Sequence, residues 1–162
     1  MHRQLLIEDT IQRCPDCLGS LNEITERFGS LFDGHEARVV RCERQPASGT
    51  CVFVFAFGRM GLLIEGWIGG SMEIGAIDEE TQSPTWLPLP TVLNYLDNRQ
   101  PEYQGPGVVD PRFAMEERSK QSMARLIDFY NKGRYDAEKA QFEAWLINYQ
   151  QKMREEIGKY DG

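Results

Sequence analysis

Cys14-Pro15-Asp16-Cys17 puts two thiols at the spacing that grips a soft metal ion or closes a reversible dithiol. A zinc site built on this pair needs two more ligands, ideally a second C-x2-C. The chain has 4 cysteines in all. The other two, Cys42 and Cys51, are separated by eight residues, and His35 lies upstream of them. The number of ligands is right and the spacing is not. A redox dithiol should follow a strand and open a helix. A helix does follow Cys14, but the segment before it also reads as helical. The reading these residues favour is structural: two small apolar side chains on the buried face of a helix N-terminus, since cysteine is among the most buried residue types. Zinc on Cys14, Cys17, Cys42 and Cys51 is the alternative, and a redox role for Cys14 and Cys17 is a further one. Cys42 and Cys51 flank a hairpin loop, so they could also face each other and oxidise in an exported protein. No metal or cofactor is expected.

The rest of the chain offers little for catalysis. Only His2 and His35 are histidines, too few for a hydrolase triad or a histidine-rich metal centre. GxSxG, HExxH, P-loop and dinucleotide fingerprints are absent. Gly66, Gly69 and Gly70 fall within and between strands rather than before a helix, so they do not cradle phosphate. Glu65, Glu73 and Asp78 could supply paired carboxylates, but nothing completes a glycosidase site. We expect no catalytic residues and no enzyme activity.

Charge is the other chemistry. The net charge is -7, and no Lys or Arg occurs from Met60 to Asn98. That stretch holds Glu65, Glu73, Asp78, Glu79, Glu80 and Asp97. Such a surface repels nucleic acid and anionic membrane. It favours a cation or a basic protein, chiefly through faster encounter. Trp67 and Trp86 are the candidate aromatic anchors of such an interface. The plain alternative is a solvated acidic loop at 78–80.

The elements that must position these groups begin with Cys51 to Ile77, three apolar runs broken by glycines. This is a β-meander. Cys51–Phe57 is apolar at every position, so both of its faces should be covered and the strand should be internal. A two-residue turn at Gly69-Gly70 predicts Glu65 opposite Ile74 and Leu63 opposite Ala76. The turn at Gly58–Gly61 predicts Phe57 opposite Leu62. Period two then gives one face with Phe53, Phe55, Phe57, Leu62, Ile64, Ile68, Glu73 and Ile77. The other carries Val52, Val54, Ala56, Leu63, Glu65, Trp67, Met72, Ile74 and Ala76. A charged run at 36–44 predicts a preceding edge strand.

Helices flank the sheet. Residues 4–13 and 14–32 carry apolar side chains three and four apart, with Pro15 suited to a first helical turn. A proline-rich connector at 83–90 precedes a short helix over 91–98. Asp110-Pro111 starts a helix to about 132, Gly133 stops it, and Asp136 caps the next. The apolar stripe of this αα-hairpin predicts packing within the molecule.

These readings give an α+β fold: a four-stranded antiparallel β-meander over about 36–78, an N-terminal helical segment and a C-terminal αα-hairpin packed on it. Helices from the two ends cover one face each, or share one face and leave the other to a partner. The organisation predicted is 1–104, with helix, meander and short helix, then 105–162, the hairpin, packed on the same domain. A composition of 41% hydrophobic and 27% charged residues is that of a globular protein. The N-terminus has acids too early for a secretory leader, so a cytoplasmic protein is expected. The function expected is that of a non-enzymatic acidic protein that neutralises or escorts a basic partner, as toxin-immunity proteins do. The partner-binding residues would be Glu65, Trp67, Glu73, Asp78, Glu79, Glu80, Trp86 and Asp97. A small zinc or redox module on Cys14 and Cys17 is one alternative. A homo-oligomeric structural protein joined through the C-terminal hairpin is another.

Overall fold

A computed structural model describes residues 3–65, 72–77, 85–101 and 116–161. The fold is α+β, with an antiparallel sheet in the order β1-β2-β3-β4-β5. The strands are β1 (Arg38–Arg44), β2 (Cys51–Phe57), β3 (Met60–Glu65), β4 (Met72–Ala76) and β5 (Leu87–Pro88). The meander expected from the sequence therefore gains a fifth strand. Leu87 pairs with Ile74 and is buried, but two residues are too few to show a periodicity.

β2 is internal, between β1 and β3, and its side chains are buried on both faces except at Ala56. Its two-residue connection to β3 places Phe57 opposite Met60, not Leu62. The shift is two residues, so the faces assigned to β2 and β3 stand. Gly58 has a φ of +61° at the first turn position, where a primed two-residue turn favours glycine. Gly69-Gly70 lies outside the described residues, but the ladder beside it excludes the predicted register. Leu63 stands opposite Glu73 and Leu62 opposite Ile74. That shift is odd, so every β4 side chain changes face. Ile74 joins Phe53, Phe55, Phe57, Leu62 and Ile64 in the main core. Glu73 and Ile77 move to the face of Val52, Val54, Leu63 and Glu65.

The N-terminal helices are α1 (Arg3–Arg13), α2 (Leu18–Arg27) and α3 (Gly29–Phe32), with a 3-10 turn at Pro15–Cys17. The single helix predicted over 14–32 is thus broken twice. Pro15 begins the 3-10 turn, and Phe28 leaves helical geometry at a φ of -115°. The break lets Leu31 and Phe32 turn onto the sheet, where the Phe32 ring meets those of Phe55 and Phe57.

After the sheet come α4 (Leu89–Leu96), α5 (Glu116–Asn131) and α6 (Arg134–Asp161). Gly133, at a φ of +82°, separates α5 from α6 as expected. Asp136 lies inside the first turn of α6 and pairs with Arg59 of the β2–β3 turn, so it is not the cap. Residues 110–115 lie outside the described residues. Aromatic rings bind the C-terminal helices together: Tyr95 of α4 meets Phe129 of α5 and Phe142 and Trp145 of α6.

All six helices contribute to the core on the Phe53–Phe55–Phe57 face, so the two ends share one face. On the other, Val52, Val54 and Leu63 are buried with Ile77 and Trp86 against them. Among the described residues, no helix is long and apolar enough to cross a membrane.

Candidate functional site

The four cysteines meet where the N-terminal helical segment touches the β1–β2 hairpin. α1 ends at Arg13, and its next turn closes with the Cys14 N–H donating to the Thr10 carbonyl at 2.8 Å. The 3-10 turn then folds the chain back, with the Cys17 N–H on the Cys14 carbonyl at 3.0 Å. This tight turn brings both side chains of the C-x2-C to one side. Cys17 sits immediately before α2.

The second pair comes from the sheet. Cys42 stands opposite Phe53, and Arg44 stands opposite Cys51. Cys42 and Cys51 are therefore diagonal neighbours on one face, the face of the main core.

Cys17 and Cys51 form a disulfide, with their Cα atoms 5.8 Å apart. The Cys42–Cys51 pairing considered from the sequence is not the one made, because diagonal positions face the helical layer rather than each other. Cys14 and Cys42 are free thiols, both half-buried. Cys14 Sγ contacts Cys17 Sγ at 3.2 Å, and the sulfurs of Cys14, Cys17 and Cys42 all lie within 4.8 Å of one another. Burial first, then the adjacent Cys14, pushes the Cys42 thiol up to about 12.

The three sulfurs of Cys14, Cys17 and Cys42 are spaced as ligands of zinc would be. A tetrahedral ion with Zn–S bonds of about 2.3 Å needs sulfurs about 3.8 Å apart. The Cys14–Cys17 separation of 3.2 Å and the 4.8 Å span of the three-sulfur group bracket that distance. Cys51, bonded to Cys17, would supply the fourth thiolate of a closed structural site once that bond is reduced.

The helical layer is held against the same strand by charge. Asp9 of α1 accepts from Arg38 Nε at 2.8 Å, Arg38 Nη2 at 2.6 Å and the Val39 N–H at 2.9 Å. Arg13, one turn later, donates to the Val39 carbonyl at 3.0 Å. Together they satisfy both open main-chain groups of the edge strand at Val39, beside the irregular pairing between Val39 and Arg41. The Arg38 guanidinium holds the Asp9 carboxyl below its usual range, against the opposing effect of burial. The sequence reading missed this lock. Its trace is a lone acid four residues before Arg13 on the buried side of α1.

The acidic surface assembles only in part. Glu65 and Glu73 come together on the second sheet face, diagonal to each other across β3 and β4. Glu65 is exposed and Glu73 half-buried. Trp86 lies on the same face, but its ring is packed over Gly61 and against the Val52–Val54–Leu63 cluster. Asp97 follows α4, which belongs to the main core, and pairs with Arg125 at 2.6 Å. Trp67, Asp78, Glu79 and Glu80 lie outside the described residues. Comparison with protein-family models, curated proteins and solved structures finds no match.

Proposed function

We propose that this chain is a small thiol-centred module whose four cysteines hold one soft divalent cation, zinc, in the reduced protein. One observation carries the reading: the sulfurs of Cys14, Cys17 and Cys42, drawn from a helical turn and a hairpin, lie within 4.8 Å of one another, and Cys51, the chain's fourth cysteine, is bonded to Cys17. The cation would clamp the N-terminal helical layer onto β1 and β2. Its role there is to complete the fold, since metal binding at a closed site is coupled to folding. Reduced, chelator-treated protein should take up one zinc per chain by elemental analysis. Cobalt in its place should give the absorption of a tetrahedral thiolate complex. Cys42→Ser should weaken both. Uptake that is absent, or indifferent to Cys42, would overturn the reading.

A second reading is favoured by Glu65 and Glu73. Two carboxylates at diagonal positions repel, and among the described residues neither has an ion pair. The side chain of a basic protein would relieve that repulsion. On this reading the module is a non-catalytic acidic protein that neutralises or escorts a basic partner, in the manner of toxin-immunity proteins. Its association rate should fall steeply with added salt, and Glu65→Gln with Glu73→Gln should remove part of that dependence. Binding indifferent to both would sink it.

A further inference from the structure

We infer that the four-sulfur centre is redox-controlled: a two-electron oxidant of the peroxide class closes the Cys17–Cys51 disulfide and releases the cation. The inference rests on the zinc reading and concerns how that site is regulated.

The disulfide and the metal compete for the same atoms. Cys17 and Cys51 are bonded to each other, and Cys14 and Cys42 remain as thiols. Two thiols cannot replace the four ligands of a closed tetrahedral site. Oxidation at this pair therefore removes half the ligands at once.

The burial of the sulfurs sets an order of events. Cys17 is 0% exposed and Cys51 is 5% exposed, whereas Cys14 and Cys42 are half-buried. Peroxide therefore meets Cys14 or Cys42 first, and of these Cys14, whose sulfur touches that of Cys17, starts the relay. The Cys14 thiolate attacks an oxygen of the peroxide, the O–O bond breaks, and Cys14 becomes a sulfenic acid as hydroxide leaves. Cys17, with its sulfur 3.2 Å away, attacks the Cys14 sulfur and expels the second hydroxide. Cys51 then attacks Cys17, forming the Cys17–Cys51 bond and returning Cys14 as a thiolate. Cys17 is the sulfur common to both bonds, and it lies in contact with both partners.

The balance is complete. One zinc ion, four thiolates, one hydrogen peroxide and four protons become one disulfide, two thiols, two waters and one free zinc ion. Two electrons pass from two sulfurs to the peroxide. In either state the helical layer stays joined to the sheet, by the cation before and by the disulfide after. What changes is whether zinc is held.

The test uses the full chain, reduced and loaded with zinc, then treated with equimolar hydrogen peroxide. A coloured chelator reports free zinc, and alkylation with peptide mass mapping reports which cysteines are bonded. We expect loss of one zinc per chain in step with disulfide formation. Cys17 and Cys51 should be bonded, and Cys14 and Cys42 alkylated. Phosphine reduction should restore zinc uptake. A protein that binds zinc and keeps it after the disulfide has formed overturns this inference alone. So does a stable bond between any other pair. A reduced protein that takes up no zinc, seen before peroxide is added, overturns the zinc reading and this inference with it.

Discussion

Cys17 and Cys51, 34 positions apart, join the turn before α2 to the first residue of β2. Everything between them, including α2, α3 and the edge strand β1, is enclosed in that loop. Closing a loop of this length restrains the unfolded chain by about 3–4 kcal/mol on the chain-entropy model. Denaturant unfolding of the oxidised protein, compared with protein reduced in the presence of a chelator, should show a loss of about that size. Zinc added back to the reduced protein should recover much of it. An unchanged midpoint on reduction would mean that the cross-link constrains nothing that packing does not already hold.

Asp9 makes an acid-sensitive contact. Its folded pKa is lowered, first by the hydrogen bonds from Arg38, so it binds its proton less readily in the folded chain than in the unfolded one. Its contribution is therefore present above the ordinary Asp value of about 3.9 and is lost as pH falls through the folded value. Asp9→Asn should flatten the stability profile in that acid window, and acid titration followed by circular dichroism measures it. Asp9→Ala also leaves the Val39 N–H without its acceptor, so at neutral pH it should cost about 2 kcal/mol. Arg38 is half-exposed, which limits the figure.

What could be read from the chain depended on period and parity. The faces of β2 and β3 were legible because both strands are short, regular and joined by two residues, so an error of two in pairing changes no face. The face of β4 was not, because the length of the 66–71 connection cannot be told from its composition, and an odd error inverts every side chain. Glu73 therefore takes the face opposite to the one the turn composition predicts. The cysteine centre was visible as four residues and invisible as a site. Its second pair exists only once β1 and β2 are in register, and its distance from the first pair depends on how α1 docks. Asp9 and Arg13 decide that docking, and an acid on an amphipathic helix carries no mark of the strand it will meet.

Asn131 at the end of α5 serves the β2–β3 turn as a strand would. Its amide donates to the Phe57 carbonyl at 2.8 Å, and its oxygen accepts from the Arg59 N–H at 2.8 Å. Gly58 lies beneath it, where an added Cβ would run into Asn131 Oδ1. Gly58→Ala thus combines a left-handed backbone cost of about 1–2 kcal/mol with this collision. In an Asn131→Ala background only the backbone cost should remain. A double-mutant cycle should give a coupling of about 1 kcal/mol, with the pair less damaging than the sum. Strict additivity would show that the turn and α5 do not share this contact.

Gly61 makes room for Trp86. It stands opposite Ala56 on one side and Gly75 on the other, so three small residues form a trough across β2, β3 and β4. A Cβ at Gly61 would lie 2.9 Å from Trp86 Cη2 and 2.7 Å from Ile77 Cγ1. Both are closer than carbon atoms tolerate, and neither Ile77 nor the indole can yield without uncovering Val52, Val54 and Leu63. Gly61→Ala should therefore destabilise by about 1–3 kcal/mol as an overpacked site. It should also move the indole toward water. The chain has 3 tryptophans, so the measurement needs Trp67→Phe and Trp145→Phe to isolate Trp86. Its emission should then shift to the red in Gly61→Ala, and a Trp86→Leu change should relieve part of the stability loss. If the emission and the stability both stay where they were, the trough is not what seats Trp86. The second sheet face, with Glu65 and Glu73 at its rim, would then be held by other contacts.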